Sequence, residues 1–239
     1  MRKNIFKQSD TPYFCIRNYV NLFFRINISF NTCICLQAIA GPTQSGKRCL
    51  VKKLLERKDD LIFPAITQVI WCFGESKPNG LDEIVDKFYH GLPETIENNL
   101  IPFNTDNKNN DHVLYVLDDL MKEASKSIEI LNSFTKKSHH QNISLIFLMQ
   151  NFFFRNCRDL TLNCKYACLF KNPRETQIVS TIGRQMCGGK KNICLDLAYK
   201  DCCSKPYGYI VLDFSQQQND ACRIRDSLFP ENCTIYYNE

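Results

Sequence analysis

The chain has 239 residues, of which 44% are hydrophobic and 23% charged, with a formal net charge of +5, 14 Cys, 17 Phe and a single Trp. That length and apolar fraction exclude disorder throughout and leave room for one α/β domain with a modest extension, not two full domains. The small positive surplus permits contact with polyanions but selects no particular partner.

The first thirty residues, "MRKNIFKQSDTPYFCIRNYVNLFFRINISF", are aromatic and interrupted by Arg17, Asn18, Asn21, Arg25 and Asn27. They lack the apolar centre of a signal peptide, and no charge-free run reaches the roughly eighteen residues of a membrane span. Beyond them, short apolar runs alternate with longer segments of helical period, the pattern of a mostly parallel sheet covered on both faces. Strands are expected near 33 to 40, 67 to 73, 113 to 117, 143 to 149 and 166 to 170. The run "YGYIVLDF" (207 to 214) is expected to add an edge strand. Leu120, Ala124, Ile128, Leu131 and Phe134 recur three or four residues apart and predict one amphipathic crossover helix. The asparagine-rich piece 97 to 112 has neither period and reads as a surface loop.

The chemistry begins at "GPTQSGKRC": Gly41, Pro42, Thr43, Gln44, Ser45, Gly46, Lys47, Arg48 and Cys49. Gly41, Gly46 and Lys47 satisfy G-x-x-x-x-G-K between a strand and a helical run, the setting of a phosphate-binding loop. Glycines let the backbone curl its N–H groups toward phosphate oxygens, the helix start adds positive potential, and the lysine reaches the outer phosphates. The residue after that lysine ordinarily lends a hydroxyl to Mg²⁺. Here it is Arg48, a permanent cation with donors only, and Cys49 brings no hydroxyl either. Three readings stand: Arg48 turns outward and the metal relies on Asp118 and water; Arg48 replaces part of the metal's charge; or the chain is a decayed copy.

"HVLYVLDDLM" is an apolar strand ending in Asp118 and Asp119. At such a strand end the first acid can hold Mg²⁺ through water, and the second can orient or deprotonate the attacking water. Asp119 could equally cap the following helix. "NISLIFLMQNFF" ends a further buried strand in Gln150, an amide placed to sense a γ-phosphate or position water. A strand, "TQVIWCFG", lies between the loop and the acid pair, an order that favours the additional-strand ATPases over nucleotide kinases and GTPases. No guanine-specifying N-K-x-D occurs.

Several cysteines sit in apolar runs, "NTCICLQAIA", "VIWCFG" and "KYACLF", where a thiol behaves as a small hydrophobe. Reduced thiols in an intracellular protein, in the nucleus or at a site of viral assembly, are the expectation. No C-x-x-C pair supports zinc.

The set "GPTQSGK", "VIWCFGESKP", "YHGLP", "VLDDLM", "TKKSHHQNISLIFLMQN", "LFKNPRETQI" and "PYGYIVLDF" resembles the packaging-type ATPases of DNA viruses and large mobile elements. These are the Polinton/Maverick, adintovirus-like and poxvirus-type members of the FtsK–HerA superfamily. The resemblance runs from about residue 33 to about 230. It implies a P-loop NTPase fold of the ASCE type with strand order 5-1-4-3-2, ATP and Mg²⁺ as cofactors, a homo-oligomeric ring and movement of double-stranded DNA into a capsid, with a capsid protein as a further partner. The implied organisation is a divergent N-terminal extension (1–32), a P-loop ATPase domain (33–230) and a tail (231–239). Carried over residue by residue, the phosphate loop falls on Gly41 to Lys47, the acids on Asp118 and Asp119, and the polar sensor on Gln150. A trans-acting arginine falls first on Arg158, with Arg155, Arg174 and Arg184 behind it. "TKKSHH" (135 to 140) and "GGKK" (188 to 191) are candidate DNA-facing loops that would grip phosphates without reading sequence. Arg48 and the N-terminus depart from the family pattern. Two other functions stay open: a nucleotide- or DNA-binding remnant without turnover, and a nucleotide kinase.

Overall fold

All six apolar runs read as strands contain one. The computed structural model of the chain describes residues 13–16, 36–62, 64–93, 112–121, 143–154, 158–174, 177–189, 192–216 and 218–238. In chain order the elements are β1 (Tyr13–Ile16), β2 (Leu36–Ala40), α1 (Lys47–Glu56), α2 (Lys58–Leu61), β3 (Gln68–Phe73), β4 (Lys87–His90), β5 (Val113–Asp118), β6 (Ile143–Met149), α3 (Arg158–Asn163), β7 (Tyr166–Phe170), α4 (Gln177–Met186), α5 (Ile193–Cys202), β8 (Tyr209–Asp213), β9 (Ile224–Arg225) and β10 (Ile235–Asn238). They divide into two units, one drawn from Ser29–Lys165 and one from Tyr166–Glu239 together with Met1–Ile28.

The first unit is built on a wholly parallel sheet in the order β2-β6-β5-β3-β4. Every residue of β6 is buried, and β5 is buried from its second residue onward. A strand covered on both faces must be apolar on both, which is why these segments read as unbroken runs rather than alternations. Helix α1 follows β2 and buries Leu50, Val51, Leu54 and Leu55 while Cys49, Lys53 and Glu56 face out, one apolar stripe on an otherwise polar helix. Strand β4 was not legible: Lys87, Tyr89 and His90 are exposed, as suits a sheet edge, so no apolar run betrays it.

Register decides where the chemistry can sit. Ala40 pairs with Met149, and Asp118 pairs with both Leu148 and Phe73. Strands β2, β3, β5 and β6 therefore finish on one line, and the segments beginning at Gly41, Gly74, Asp119 and Gln150 leave from the same edge of the sheet. In open parallel sheets ligands bind beyond the carboxyl ends of the strands.

The mixed α/β fold with a large parallel sheet is as expected. Four of the five strands in the order 5-1-4-3-2 appear here as β2, β6, β5 and β3, in the sequence 1-4-3-2; the fifth, β7, belongs to the second unit. That unit is antiparallel, in the order β7-β8-β9-β10-β1. The run 207 to 214 yields β8, which pairs with β7 on one side and β9 on the other rather than standing at an edge. Strands β9 and β10 are too short to show a period. Arg225 and Asp213 form a buried ion pair at 2.7 Å between β9 and the end of β8. Asn192 caps α5, accepting from the Leu195 N–H at 2.9 Å.

Cys72, Cys164, Cys168, Cys194 and Cys203 are buried free thiols, and burial pushes Cys72 and Cys168 up to about 12. No helix among the described residues is long and apolar enough to cross a membrane. The crossover helix through Ala124, Ile128, Leu131 and Phe134, the loop over 97–111, the basic segment 135–140, Lys190, Lys191, Arg155, Cys33 and Cys35 lie outside the described residues.

Candidate functional site

Strand β2 delivers the chain to Gly41, whose N–H donates to the Met149 carbonyl at 3.1 Å and so ties the start of the loop to the end of β6. The Ser45 N–H closes a turn on the Pro42 carbonyl at 3.2 Å, and the Leu50 N–H, donating to Gly46 at 2.9 Å, starts α1. Gln44 and Gly46 take positive φ, 64° and 102°. The tight reversal into the helix depends on this, and at 102° a side chain would be strained. Ser45 Oγ is buried without a hydrogen-bond partner among the described residues, a hydroxyl that a phosphate oxygen would satisfy. Thr43, Gln44 and Cys49 are exposed.

Lys47 curls back so that Nζ donates to the carbonyls of Gly41 (2.6 Å) and Pro42 (2.8 Å). Burial lowers the pKa of its ammonium; Asp119 and then Asp118 oppose that fall, and Arg48 adds to it. Four charges from two segments, the start of α1 and the end of β5, therefore act on one another at the sheet edge.

Arg48 does not turn outward. Its Nε donates to Asp118 Oδ2 at 2.6 Å, and one terminal nitrogen donates to the Ser76 carbonyl at 3.4 Å. The same carboxylate oxygen accepts from Trp71 Nε1 at 3.2 Å. Asp118 is buried while the Arg48 side chain remains 42% exposed, so the pair spans from the sheet interior to the surface. The guanidinium and the indole both favour the charged carboxylate, yet burial is the larger effect and raises the Asp118 pKa overall.

Asp119 sits at φ 58°, the left-handed region that Asp tolerates better than most residues. Its N–H donates to the Leu148 carbonyl at 3.2 Å, and its carboxylate accepts from Gln150 Nε2 at 3.1 and 3.2 Å. A carboxylate only accepts, so Gln150 must present its NH₂ to Asp119 and keeps its carbonyl oxygen for another donor. Gly74 leaves β3 beside this turn: its N–H donates to the Asp118 carbonyl at 3.0 Å, and a Cβ there would lie 2.8 Å from the Asp119 carbonyl oxygen.

The loop residues 41–49, Asp118, Asp119 and Gln150 thus gather at one edge. Arg158 is exposed on the first residue of α3, and Arg174 and Arg184 are exposed in the second unit. Trp71, Gly74 and Ser76 complete the site and were missed as site residues. Trp71 entered only as part of the strand "TQVIWCFG"; the available signal was a lone tryptophan, a side chain whose N–H needs an acceptor when buried.

The donor set does not fit a magnesium ion held in the usual way. Positions 48 and 49 offer no hydroxyl, and the Oδ2 of Asp118 already carries a cation at hydrogen-bond distance. A divalent ion beside it would meet the guanidinium's charge.

The poxvirus A32 protein family matches residues 90–226, more than half of the chain. The chain belongs to this family. Asp118, Asp119, Gln150 and Arg158 fall inside the A32 match, and the loop at 41–49 precedes it. The FtsK–HerA packaging resemblance drawn from the motifs is thereby met in its poxvirus-type member. No curated protein matches the chain. Among solved structures, the genome packaging NTPase B204 of Sulfolobus turreted icosahedral virus 2, in complex with ATPγS, superposes with a TM-score of 0.53 at 13% identity, covering 77% of this A32-family chain and 94% of that one. The DNA-packaging ATPase B204 of Sulfolobus turreted icosahedral virus gives 0.53 at 15% identity, with the same coverage. The cytoplasmic domain of the type VII secretion ATPase EccC of Thermomonospora curvata gives 0.51 at 11% identity, covering 86% of this chain and 25% of that one. These likenesses establish the fold of the A32-family chain as that of the P-loop NTPases.

Proposed function

We propose that this A32-family chain is a viral-type DNA-packaging ATPase that binds ATP on the loop 41–49 and uses it to drive double-stranded DNA. The observation that carries the reading is the meeting of Lys47, Asp118, Asp119 and Gln150 at one sheet edge beside a curled, glycine-bearing turn. Lys47 leaves the Gly41 and Pro42 carbonyls for the outer phosphates. Asp119 receives the proton of the attacking water, and the carbonyl oxygen of Gln150 orients that water. Arg158 of a neighbouring subunit is the first candidate to stabilise charge on the γ-phosphate, which makes a homo-oligomeric ring the working form. Partners are the DNA backbone, gripped without sequence reading, and a capsid protein. The buried, reduced thiols suit an intracellular compartment, the nucleus or a viral assembly site, and the element of origin is a virus or a Polinton-like mobile element.

The test is ATP hydrolysis by the full chain with and without double-stranded DNA. The reading expects turnover that rises with DNA and is lost in Lys47→Ala. Phosphate transfer to nucleoside or nucleotide acceptors would favour a kinase instead.

A second reading, a nucleotide-binding remnant without turnover, is favoured by one observation, the Arg48 to Asp118 ion pair. It predicts that only Arg48→Thr hydrolyses ATP. Turnover by the parent chain removes it.

A further inference from the structure

We propose that Arg48 is the site's own cation, so that a nucleoside triphosphate binds here without a divalent metal; the inference rests on the nucleotide-binding reading above. In the usual arrangement a loop hydroxyl and a strand-end acid hold Mg²⁺ between them, and the metal neutralises the phosphates. In this chain the loop position carries a guanidinium, and that guanidinium reaches the strand-end acid itself, at 2.6 Å. Loop and strand end are thus joined by a covalently attached positive charge where the metal would join them.

Geometry leaves the guanidinium free to act on a ligand as well. Nε is committed to Asp118 and one terminal nitrogen leans on the Ser76 carbonyl, while the other terminal nitrogen has no hydrogen bond among the described residues. The side chain is part-exposed, so its remaining N–H groups reach the surface of the site. Arginine's fork matches phosphate oxygens, and its charge persists at any pH the protein survives. The neighbourhood is close to neutral before a ligand arrives, with Lys47 and Arg48 set against Asp118 and Asp119. A triphosphate meeting this group finds two cations at the start of α1. A divalent ion approaching Asp118 must displace Arg48 or stand beside it.

The experiment is equilibrium titration of the full chain with a fluorescent ATP analogue, in excess EDTA and again in excess Mg²⁺, beside Arg48→Thr, Arg48→Lys and Lys47→Ala. The parent is expected to bind in EDTA within about threefold of its affinity in Mg²⁺, and Arg48→Thr to lose about tenfold or more in EDTA and recover it in Mg²⁺. Arg48→Lys, which keeps the charge but not the fork, should fall between them. Thermal melting of each variant separates folding loss from binding loss, and a parent that binds about tenfold more weakly in EDTA than in Mg²⁺ overturns the proposal even if no variant folds. Equal behaviour of a folded Arg48→Thr and the parent in EDTA overturns it too. The nucleotide-binding reading fails in a different way: no saturable binding by the parent under either condition, or unchanged binding in Lys47→Ala.

Discussion

Arg48 Nε lies 2.6 Å from Asp118 Oδ2, so the residue that displaces the loop hydroxyl also holds the acid that hydroxyl would have worked with. The departure from the P-loop pattern is one substitution whose side chain is joined to the strand-end acid rather than an isolated change on a surface. Trp71, donating to the same oxygen from β3, makes the carboxylate a junction for the loop and two strands.

That junction gives a direct optical reporter, because Trp71 is the chain's single tryptophan and is fully buried. Asp118→Ala leaves its indole N–H without this acceptor, a loss of about 1–3 kcal/mol for a buried donor. The denaturation midpoint should fall and the tryptophan emission should shift in the folded state. Parent-like emission and midpoint would place Trp71 in an environment other than the one described.

Gly74 marks a close approach of backbones. Alanine there would set its Cβ 2.8 Å from the Asp119 carbonyl oxygen, and neither backbone can yield without moving the turn that aims Asp119 at Gln150. Gly74→Ala should cost about 1–3 kcal/mol in overpacking, measured by chemical denaturation, and should depress ATP turnover beyond what the stability loss explains. Unaltered turnover in a folded variant would show that the turn tolerates displacement.

The buried strands and the loop were legible because both obey rules stated in the sequence itself: unbroken apolar runs for a parallel sheet, and glycine spacing for a curled turn. Asp118 and Gln150 were legible as polar residues ending such runs. Strand β4 was not, since an exposed edge needs no apolar pattern, and β9 with β10 were too short to have one. The direction of Arg48 could not be read either. Turned outward or set in the metal's place, the side chain differs only in a contact with a residue far along the chain, which register alone determines.

His112, at the start of β5, is buried, with Nε2 2.8 Å from Ser144 Oγ, and burial lowers its pKa below the ordinary value of 6.5. The folded state therefore resists protonation while the unfolded chain takes the proton, so stability is full above the unfolded pKa and falls as pH drops below it. Thermal melting should show a loss below about pH 6.5 that is smaller in His112→Gln. Identical pH profiles would mean that His112 accepts a proton without penalty.

In the second unit, Asp213 holds Arg225 at 2.7 Å and also accepts from Ser215 and Gln218, while Arg225 Nε and its other terminal nitrogen are buried without hydrogen bonds among the described residues. Asp213→Leu alone strands that charge and should cost about 3–5 kcal/mol by denaturant titration, whereas Asp213→Leu with Arg225→Met should recover most of the loss. A double variant no better than the single one would assign the cost to packing.

The most direct measurement is titration of the folded chain with a fluorescent ATP analogue, competed by unlabelled ATP, beside Lys47→Ala. Saturable, competed binding by the parent, weakened about tenfold or more in Lys47→Ala, is the predicted result. Absence of saturable binding, or equal affinity in the two proteins, would contradict a triphosphate site formed by the loop, the acid pair and Gln150.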